Sequence, residues 1–301
     1  MIAPTAAGVG RGNHSRPRVA ILMYHSVAST SSPEQRELTV APERFDEQIG
    51  ALIASGVRIV PLADVLAMLR GDGGDDVPVA AVTIDDAFAD VVDAAQILAR
   101  HQARATVFVP TAFVGARAAW LRGDDSRRPL ASWSALADLR DAGIEIGGHS
   151  HLHIAADTNP PAIVEEDARR CRFELEEQLG VAATSFAYPF GFQTPGSRRA
   201  VAKAGFTLGC TTNHLRAASG DDPLALPRLL IGPSVTGEQL TRMVTVPRSR
   251  WIEDGLRGKA WLLGRGRQFI GFGPVNSRRI TPLALEEYGS ALFQYDPDGD
   301  A

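Results

Sequence analysis

The chain has few of the features that assign a protein to a specialised class. Its 301 residues include two cysteines, Cys171 and Cys210, which are too few for a disulfide framework. Both lie in apolar segments, so we expect buried free thiols. No apolar run approaches the ~20 residues of a transmembrane helix, and the net charge of −4 gives no basis for binding nucleic acid. The sequence therefore predicts a soluble globular protein.

The two ends of the chain differ in composition from the middle. Residues 1–17 lack the apolar core of a secretory signal peptide, so we expect a flexible leader and a cytoplasmic protein. Residues 18–243 carry regular patterns and are predicted to form the main domain. In residues 244–301 arginines alternate with aromatic residues. We expect an extension that packs on the main domain, the alternative being a basic surface for an anionic polymer or a membrane. The sequence gives no oligomeric state.

Apolar runs and amphipathic segments alternate through the main domain. This alternation is typical of βα units and a parallel sheet. Seven or eight strands of this kind fit a (β/α) barrel better than an open sheet. The predicted strands are 18–25, 57–62, 79–84, 105–109, 144–148, 184–188, 206–211 and 225–231. The predicted helices are 42–55, 63–69, 91–101, 132–142, 161–179, 198–204 and one that starts at 237, and a Gly- and Asp-rich turn is predicted at 71–76.

Several predicted strands end in residues that bind metal ions or transfer protons. His25 ends the first strand, Asp85 and Asp86 follow the strand 79–84, and His149 and His153 follow the strand 144–148. In a (β/α) barrel the carboxyl ends of the strands meet on one face, which holds the active site. We therefore expect these side chains to converge.

Asp86, His149 and His153 form a plausible ligand set for a metal ion. Two histidines and one carboxylate leave a coordination position open for water, which is typical of a catalytic metal. Asp85 would take a proton from that water. Adjacent strand residues point to opposite faces, so the backbone must bend after Ile84 for both acids to enter the site. The competing interpretation is that the acids cap the next helix.

Two further groups complete the predicted chemistry. His25 would protonate the leaving group as a general acid. In the turn Pro189-Phe190-Gly191 the proline has no N–H, so the Phe190 N–H is the nearest candidate to stabilise an oxyanion. We expect His151 to line the wall of the site. The remaining histidines, which we expect to be structural, are His14, His101 and His214.

These motifs resemble those of the polysaccharide deacetylases of carbohydrate esterase family 4, the NodB-homology domain. The family's TFDDG motif corresponds to Thr83-Ile84-Asp85-Asp86-Ala87, and its H-[ST]-x-x-H motif corresponds to His149-Ser150-His151-Leu152-His153. A third motif, R-x-P-Y, is weakened to Ala187-Tyr188-Pro189-Phe190. The resemblance runs from about residue 18 to 243. It implies a distorted α/β fold of the (β/α)7-barrel type and removal of acetyl groups from N-acetylated, or less commonly O-acetylated, sugars or polysaccharides.

The resemblance also implies roles for single residues. Asp85 would be the base, and Asp86, His149 and His153 would hold a divalent metal, Zn²⁺ first, with Co²⁺ or Ni²⁺ as alternatives. The Phe190 N–H would serve the oxyanion.

One stretch points to a branch of the family, and two positions depart from its pattern. Residues 22–27, Leu-Met-Tyr-His-Ser-Val, resemble the branch that deacetylates poly-N-acetylglucosamine, in which the acid histidine, here His25, comes from the first strand. Ala87 replaces the glycine of the first motif. Ala187 replaces the arginine that holds the base. Arg228 either substitutes for that arginine or is a structural surface residue.

Other interpretations stay open. The H-x-H of residues 151–153 is typical of amidohydrolase barrels, but those need further histidines downstream and only His214 follows. A serine hydrolase would need G-x-S-x-G, and residues 148–152 lack the final glycine. A hydrolase of a non-sugar amide, or a barrel that binds glycan without catalysis, fits the same residues. The absence of an export signal favours a cytoplasmic substrate, such as a lipid-linked or nucleotide-linked acylated sugar.

Overall fold

A computed structural model describes residues 18–70 and 77–246 of the chain. The predicted leader at 1–17, the predicted turn at 71–76 and residues 247–301 of the predicted extension lie outside the described residues. The three-segment organisation therefore stays a prediction. Within the described ranges, no helix combines the length and the apolar character that crossing a bilayer requires.

Strands and helices alternate along the described residues, as the sequence patterns predict. The strands are β1 (Arg18–Tyr24), β2 (Ser26–Val27), β3 (Thr39–Val40), β4 (Arg58–Ile59), β5 (Val79–Ile84), β6 (Ala105–Val109), β7 (Glu145–Gly148), β8 (Ser185–Ala187), β9 (Leu208–Cys210), β10 (Ala217–Ala218) and β11 (Leu229–Leu230). The α-helices are α1 (Pro42–Ala54), α2 (Val65–Arg70), α3 (Val91–Arg100), α4 (Trp133–Asp141), α5 (Pro161–Leu179), α6 (Pro195–Lys203) and α7 (Gly237–Thr245).

The main sheet curls into a barrel. Strands β1, β5, β6, β7, β8 and β9 pair in that order, and all of these pairs are parallel. The segment 226–231 closes the gap between the two ends. Leu226 forms a parallel bridge with Cys210, the last residue of β9, and β11 pairs in parallel with β1. These seven strands confirm the predicted (β/α)7-type barrel.

Residues of the central strands alternate between two cores. On β5, Ala80, Val82 and Ile84 pack under the surrounding helices. Val79 and Ala81 instead pack in the interior of the barrel, together with residues of β1, β6 and β9. The period of two places Thr83 and Asp85 on the interior side as well. The alternation of β5 thus places Asp85, the first of the two acids after it, inside the barrel.

Two predicted strands are much shorter in the structure, whereas those predicted at 18–25, 144–148, 184–188 and 206–211 lose only one to three residues. In 57–62 only Arg58–Ile59 is a strand, and Pro61 leads into a short 3-10 helix at Leu62–Asp64. In 225–231 only Leu229–Leu230 is a strand, after Pro227. Because proline supplies no N–H to a ladder, it stops regular pairing at both places.

Some elements were not predicted, and one helix starts earlier than expected. Strand β10 pairs antiparallel with β1, and β2 pairs with β3 in a separate small sheet. Strands of two residues show no alternation for a sequence pattern to reveal. Helix α6 starts at Pro195 because Thr194 caps it reciprocally with Ser197. Both cysteines are buried free thiols, which confirms the prediction.

Candidate metal centre and active site

Asp86, His149 and His153 meet at the carboxyl ends of β5 and β7, as predicted. Their candidate ligand atoms all lie within 4.8 Å of one another. Asp86 Oδ1 lies 3.4 Å from His149 Nε2 and 3.2 Å from His153 Nε2. All three side chains are buried. The arrangement supplies two imidazole nitrogens and one carboxylate oxygen, a donor set suited to zinc and similar divalent metals.

The two histidines of this cluster are held in different ways. His149 Nδ1 lies 2.8 Å from the Ala187 carbonyl oxygen, which assigns the proton to Nδ1 and leaves Nε2 free as a ligand. Burial alone lowers the pKa of His149, but hydrogen bonding and charge from Asp86 and Asp85 raise it above its ordinary value. Burial keeps the pKa of His153 below its ordinary value in spite of Asp86.

Residues with a left-handed backbone conformation are concentrated at the site. Asp86 has a φ of 70°, which turns its side chain away from the direction that a regular strand would give it. This is the predicted bend after Ile84. Five of the seven described non-glycine residues with positive φ lie in the site or its loops. These five are Asp86, Ala87, Ser150, His153 and Phe190, and such clustering is typical of functional sites.

The helix-cap interpretation of the two acids is wrong. Helix α3 begins at Val91, and Asp90 occupies the N-cap position. Asp85 and Asp86 lie several residues upstream and face Arg228 and the histidines instead.

Asp85 forms a bidentate ion pair with Arg228 inside the barrel. The Arg228 guanidinium donates to the two carboxylate oxygens over 2.6 and 2.7 Å. It also donates to Thr83 Oγ1 and to the Thr211 carbonyl, and it is fully buried. Burial is the largest single effect and raises the pKa of Asp85, but the charges of Arg228 and His149 and the hydrogen bonds from Arg228 together outweigh it and hold this pKa below its ordinary value. Arg228 therefore is not the surface residue that one interpretation of the sequence allowed.

His25 and Phe190 border the same site. The pairing of Tyr24 with Ile84 places His25 beside Asp85 at the next position. Burial lowers the pKa of His25, and the charges of Asp85 and Asp86 oppose that shift. Phe190 has a φ of 63°, and its ring meets the His153 ring edge-on at 5.0 Å.

Gly191 makes this turn possible. It has a φ of +75°, and a Cβ there would lie 2.0 Å from Thr212 Oγ1. Only glycine fits such a position without displacing its neighbour. The turn that carries Phe190 thus depends on the residue after it.

Asp167, which was not predicted from the sequence, holds the histidine loop. Its carboxylate accepts the N–H groups of His151 at 2.9 Å and Leu152 at 2.8 Å. Burial raises the pKa of Asp167 to about 6. A signal existed, because an acid within the buried stripe of α5, between Val164 and Cys171, breaks the apolar pattern.

Trp120 was also missed. Its ring stacks on the His153 ring with a centroid distance of 4.5 Å and an interplanar angle of 18°. Trp120 belongs to the loop after β6, and a loop without periodicity gives no signal of where its side chain points.

The other histidines lie outside the cluster. His151 hydrogen-bonds through Nδ1 to Thr111 Oγ1 at 2.9 Å, and burial lowers its pKa to about 4. This placement beside the site agrees with the predicted wall position. His101 pairs with Asp46 at 2.8 Å and is structural. His14 lies outside the described residues.

Known proteins share this sequence pattern and fold. The family model for polysaccharide deacetylase matches residues 72–209. YxkH of Bacillus subtilis (strain 168), a proposed polysaccharide deacetylase, is 22% identical over 221 residues, which cover 73% of this chain and 74% of YxkH.

Two solved structures have the same barrel. The Streptococcus pyogenes deacetylase PplD, solved in complex with acetate, has a TM-score of 0.67 and 24% identity over 76% of this chain and 99% of its own. IcaB from Ammonifex degensii has a TM-score of 0.64 and 23% identity over 76% of this chain and 98% of its own. At identities this low, the structural similarity establishes a shared fold alone.

Proposed function

Because the chain belongs to the polysaccharide deacetylase family of carbohydrate hydrolases, we propose that it is a metal-dependent enzyme that removes acetyl groups from N-acetylated sugars. One observation carries the proposal. The Asp86–His149–His153 cluster lies beside a carboxylate, Asp85, that a buried arginine keeps ionised. The solved complex of PplD with acetate, the product of such a reaction, supports it.

The cluster fits a divalent metal such as Zn²⁺, with Co²⁺ or Ni²⁺ as alternatives. His149 presents a free Nε2, and His153 also turns its Nε2 toward Asp86. Three protein ligands are the usual number in catalytic zinc sites, which keep one position open. When bound, the metal would act as a Lewis acid and lower the pKa of water to roughly 7.

Asp85 is proposed as the general base. Its pKa below the ordinary value keeps the carboxylate ionised at neutral pH. The same shift makes it a weak base, so it depends on water that is already acidified. Asp85 would take one proton from that water, whose oxygen attacks the acetyl carbonyl carbon.

Arg228 supports an active enzyme rather than an inactive binding barrel. Ala187 stands where the family's third motif has an arginine that holds the base. In this chain the guanidinium of Arg228 reaches Asp85 from the closing segment of the barrel. The positive charge beside Asp85 is therefore supplied from a different segment of the chain.

His25 is proposed as the general acid that gives a proton to the departing nitrogen as the C–N bond breaks. The products are acetate and a free amine, which balances the water consumed. An amine leaves only when protonated, whereas an alkoxide leaves more readily. A histidine beside the base therefore favours N-acetyl over O-acetyl substrates. In agreement with the resemblance of residues 22–27, an oligomer of N-acetylglucosamine is the first substrate to test.

The Phe190 N–H is proposed to stabilise the oxyanion that forms on the carbonyl oxygen. The left-handed conformation of Phe190 and the ring contact with His153 place this residue at the edge of the cluster. One donor of this kind contributes about 3 kcal/mol to the transition state.

Acetate release tests the proposal. Purified protein is stripped of metal, reloaded with zinc, cobalt or nickel, and assayed on a panel of N- and O-acetylated sugars and oligosaccharides. We expect release only from the reloaded protein, with N-acetylated members preferred, and none from Asp85→Asn.

Two results would contradict it. No release across the panel, with a full equivalent of metal bound, would shift the function to a non-acetyl amide or to glycan binding alone. Equal release by the stripped protein, after verified removal of metal, would refute metal dependence.

A further inference from the structure

The two histidines of the candidate metal centre differ at the nitrogen that does not face Asp86. His149 Nδ1 donates to the Ala187 carbonyl, the arrangement that usually fixes the ring of a metal-binding histidine. His153 Nδ1 is buried and has no hydrogen-bond partner among the described residues. The orientation of His153 must therefore come from something other than a hydrogen bond at Nδ1.

Aromatic rings enclose His153 instead. The Trp120 indole stacks nearly parallel on the imidazole, with centroids 4.5 Å apart. The Phe190 ring approaches edge-on at 5.0 Å, and the His149 ring does so at 4.9 Å. Stacked and edge-to-face rings at these distances restrict how an imidazole rotates.

Trp120 is itself firmly placed. Its ring meets Phe113 edge-on at 5.0 Å and stacks with Phe88 at 6.2 Å. The loop around it is tied to the chain just after the two acids, where the Ala131 N–H donates to the Ala87 carbonyl at 2.9 Å. The indole is therefore part of a packed cluster and not a freely moving side chain.

We propose that Trp120 is a positioning residue for His153, replacing by ring stacking the hydrogen bond that His149 donates to the Ala187 carbonyl. The inference rests on the metal centre of the proposed function. A stack orients the imidazole but does not polarise its Nδ1–H, so His153 is the more weakly held ligand. Loss of the indole then weakens metal binding itself, not only turnover.

Metal titration of the wild type and two variants tests this inference. Apo wild type, Trp120→Leu and Trp120→Phe are titrated with Zn²⁺ against a competing chelator, and folding is checked by circular dichroism. We expect Trp120→Leu to raise the dissociation constant at least about 10-fold, the low end of the loss seen when ligand-orienting partners are removed. Trp120→Phe keeps an aromatic face and should recover most of the affinity.

Trp133→Leu is the matched control. Trp133 is half-buried like Trp120 but packs on the outer core at the start of α4. Its substitution should leave the zinc affinity within about twofold of wild type, so a general packing loss is separated from a loss at His153.

Cobalt spectra distinguish an effect of Trp120 on the metal ligands from a general effect on the structure. The visible absorption of Co²⁺ reports the ligand field, and we expect the Trp120→Leu spectrum to shift toward that of His153→Ala. Wild-type affinity and spectrum in Trp120→Leu, with only a raised KM, would overturn the inference and make the indole a substrate contact. Absence of metal binding by the wild type would instead refute the metal centre of the proposed function, and this inference with it.

Discussion

Asp85 and Asp86 are the same residue type at adjacent positions, yet the structure gives them opposite surroundings. Asp85 follows the strand's alternation into the barrel interior and meets the guanidinium of Arg228. Asp86 is turned by its left-handed backbone toward His149 and His153. Both carboxyls have lowered pKa values, although burial alone raises the pKa of each. A permanent cation opposes burial at Asp85, and hydrogen-bonding imidazoles oppose it at Asp86.

The comparison shows that neighbours, and not residue type, separate the proposed roles. A carboxylate locked to arginine by two hydrogen bonds stays ionised and fixed in orientation. A carboxylate that faces two imidazoles lies next to two further ligands and is suited to hold a cation between them. One backbone torsion, at Asp86, decides which acid goes where.

Replacing each acid by a neutral residue should give the largest effects that we expect, and only the replacement of Asp86 should remove metal binding as well as turnover. Asp86→Ala removes a proposed ligand and should abolish both metal binding and activity. Asp85→Asn should keep the metal affinity within about threefold while turnover falls by ~10²–10⁴. Metal content after dialysis and acetate release measure the two quantities. Loss of metal from Asp85→Asn would remove the distinction between the two acids.

Removing the arginine should destabilise the protein through Asp85. Arg228→Met leaves a buried, unpaired carboxylate, which costs about 3–5 kcal/mol in the free energy of unfolding. The double variant Arg228→Met with Asp85→Asn should recover much of that loss. The exposed pair Arg242–Glu238 is the control, since Arg242→Met should cost at most about 1 kcal/mol. Urea unfolding measures all four proteins, and no recovery in the double variant would contradict the pairing.

Asp167 is a third buried carboxylate, which faces backbone N–H donors instead of a cation or imidazoles, and burial raises its pKa to about 6. Between about pH 4 and 6 the folded state then binds more protons than the unfolded state, so stability falls as pH rises. The stability difference between wild type and Asp167→Asn should shrink by about 3 kcal/mol across this window.

The contribution of Asp85 to stability should depend on pH in the opposite direction. Its folded pKa is lowered, so its stabilisation is present above the unfolded pKa of about 3.9 and is lost as pH falls further. The free energies of unfolding of metal-free wild type, Asp167→Asn and the Asp85/Arg228 double variant, measured at matched pH values, test both pH dependences. If the difference from wild type changed with pH in the same direction for both variants, the opposite signs expected for the two carboxyls would be contradicted.

The smallest expected effect concerns Ala87, which follows the acids with a φ of 49°. Glycine would relieve left-handed strain of about 1–2 kcal/mol but lose a buried methyl group of about 0.8 kcal/mol. Ala87→Gly should therefore change stability by no more than about 1 kcal/mol and leave metal affinity unchanged. The control is Ala94→Gly, buried inside α3, which should cost about 1–2 kcal/mol. A large loss of metal affinity in Ala87→Gly would show that this turn needs the alanine side chain.

The parts of the fold with strong periodicity were predictable from sequence. Strands at 79–84 and 105–109 and the helix at 161–179 have the predicted bounds. Their apolar runs are long enough to show a period, and Gly180, with a φ of 63°, ends the helix as glycine commonly does. The strands at 57–62 and 225–231 were overextended, because prolines stop the ladder before the apolar run ends.

The candidate site was predictable to the extent that topology alone determines it. Parallel strands in a barrel bring their carboxyl ends together, so His25, Asp85 and His149 had to meet. The backbone torsions of Asp86 and Phe190 were not predictable, since tertiary packing holds them in a rare conformation. Trp120 and Asp167 act through contacts between segments distant in sequence, which periodicity does not encode.

The closing segment of the barrel also sets the order in which the site is completed during synthesis. All three candidate metal ligands have been synthesised once His153 is added to the chain. The arginine that pairs with Asp85 lies 143 residues after it, in the closing segment just before β11. A nascent chain therefore carries the whole ligand set while its base still has no partner. Residues 226–231 both join β9 to β1 and carry Arg228, so closure of the barrel and formation of its central ion pair require the same segment.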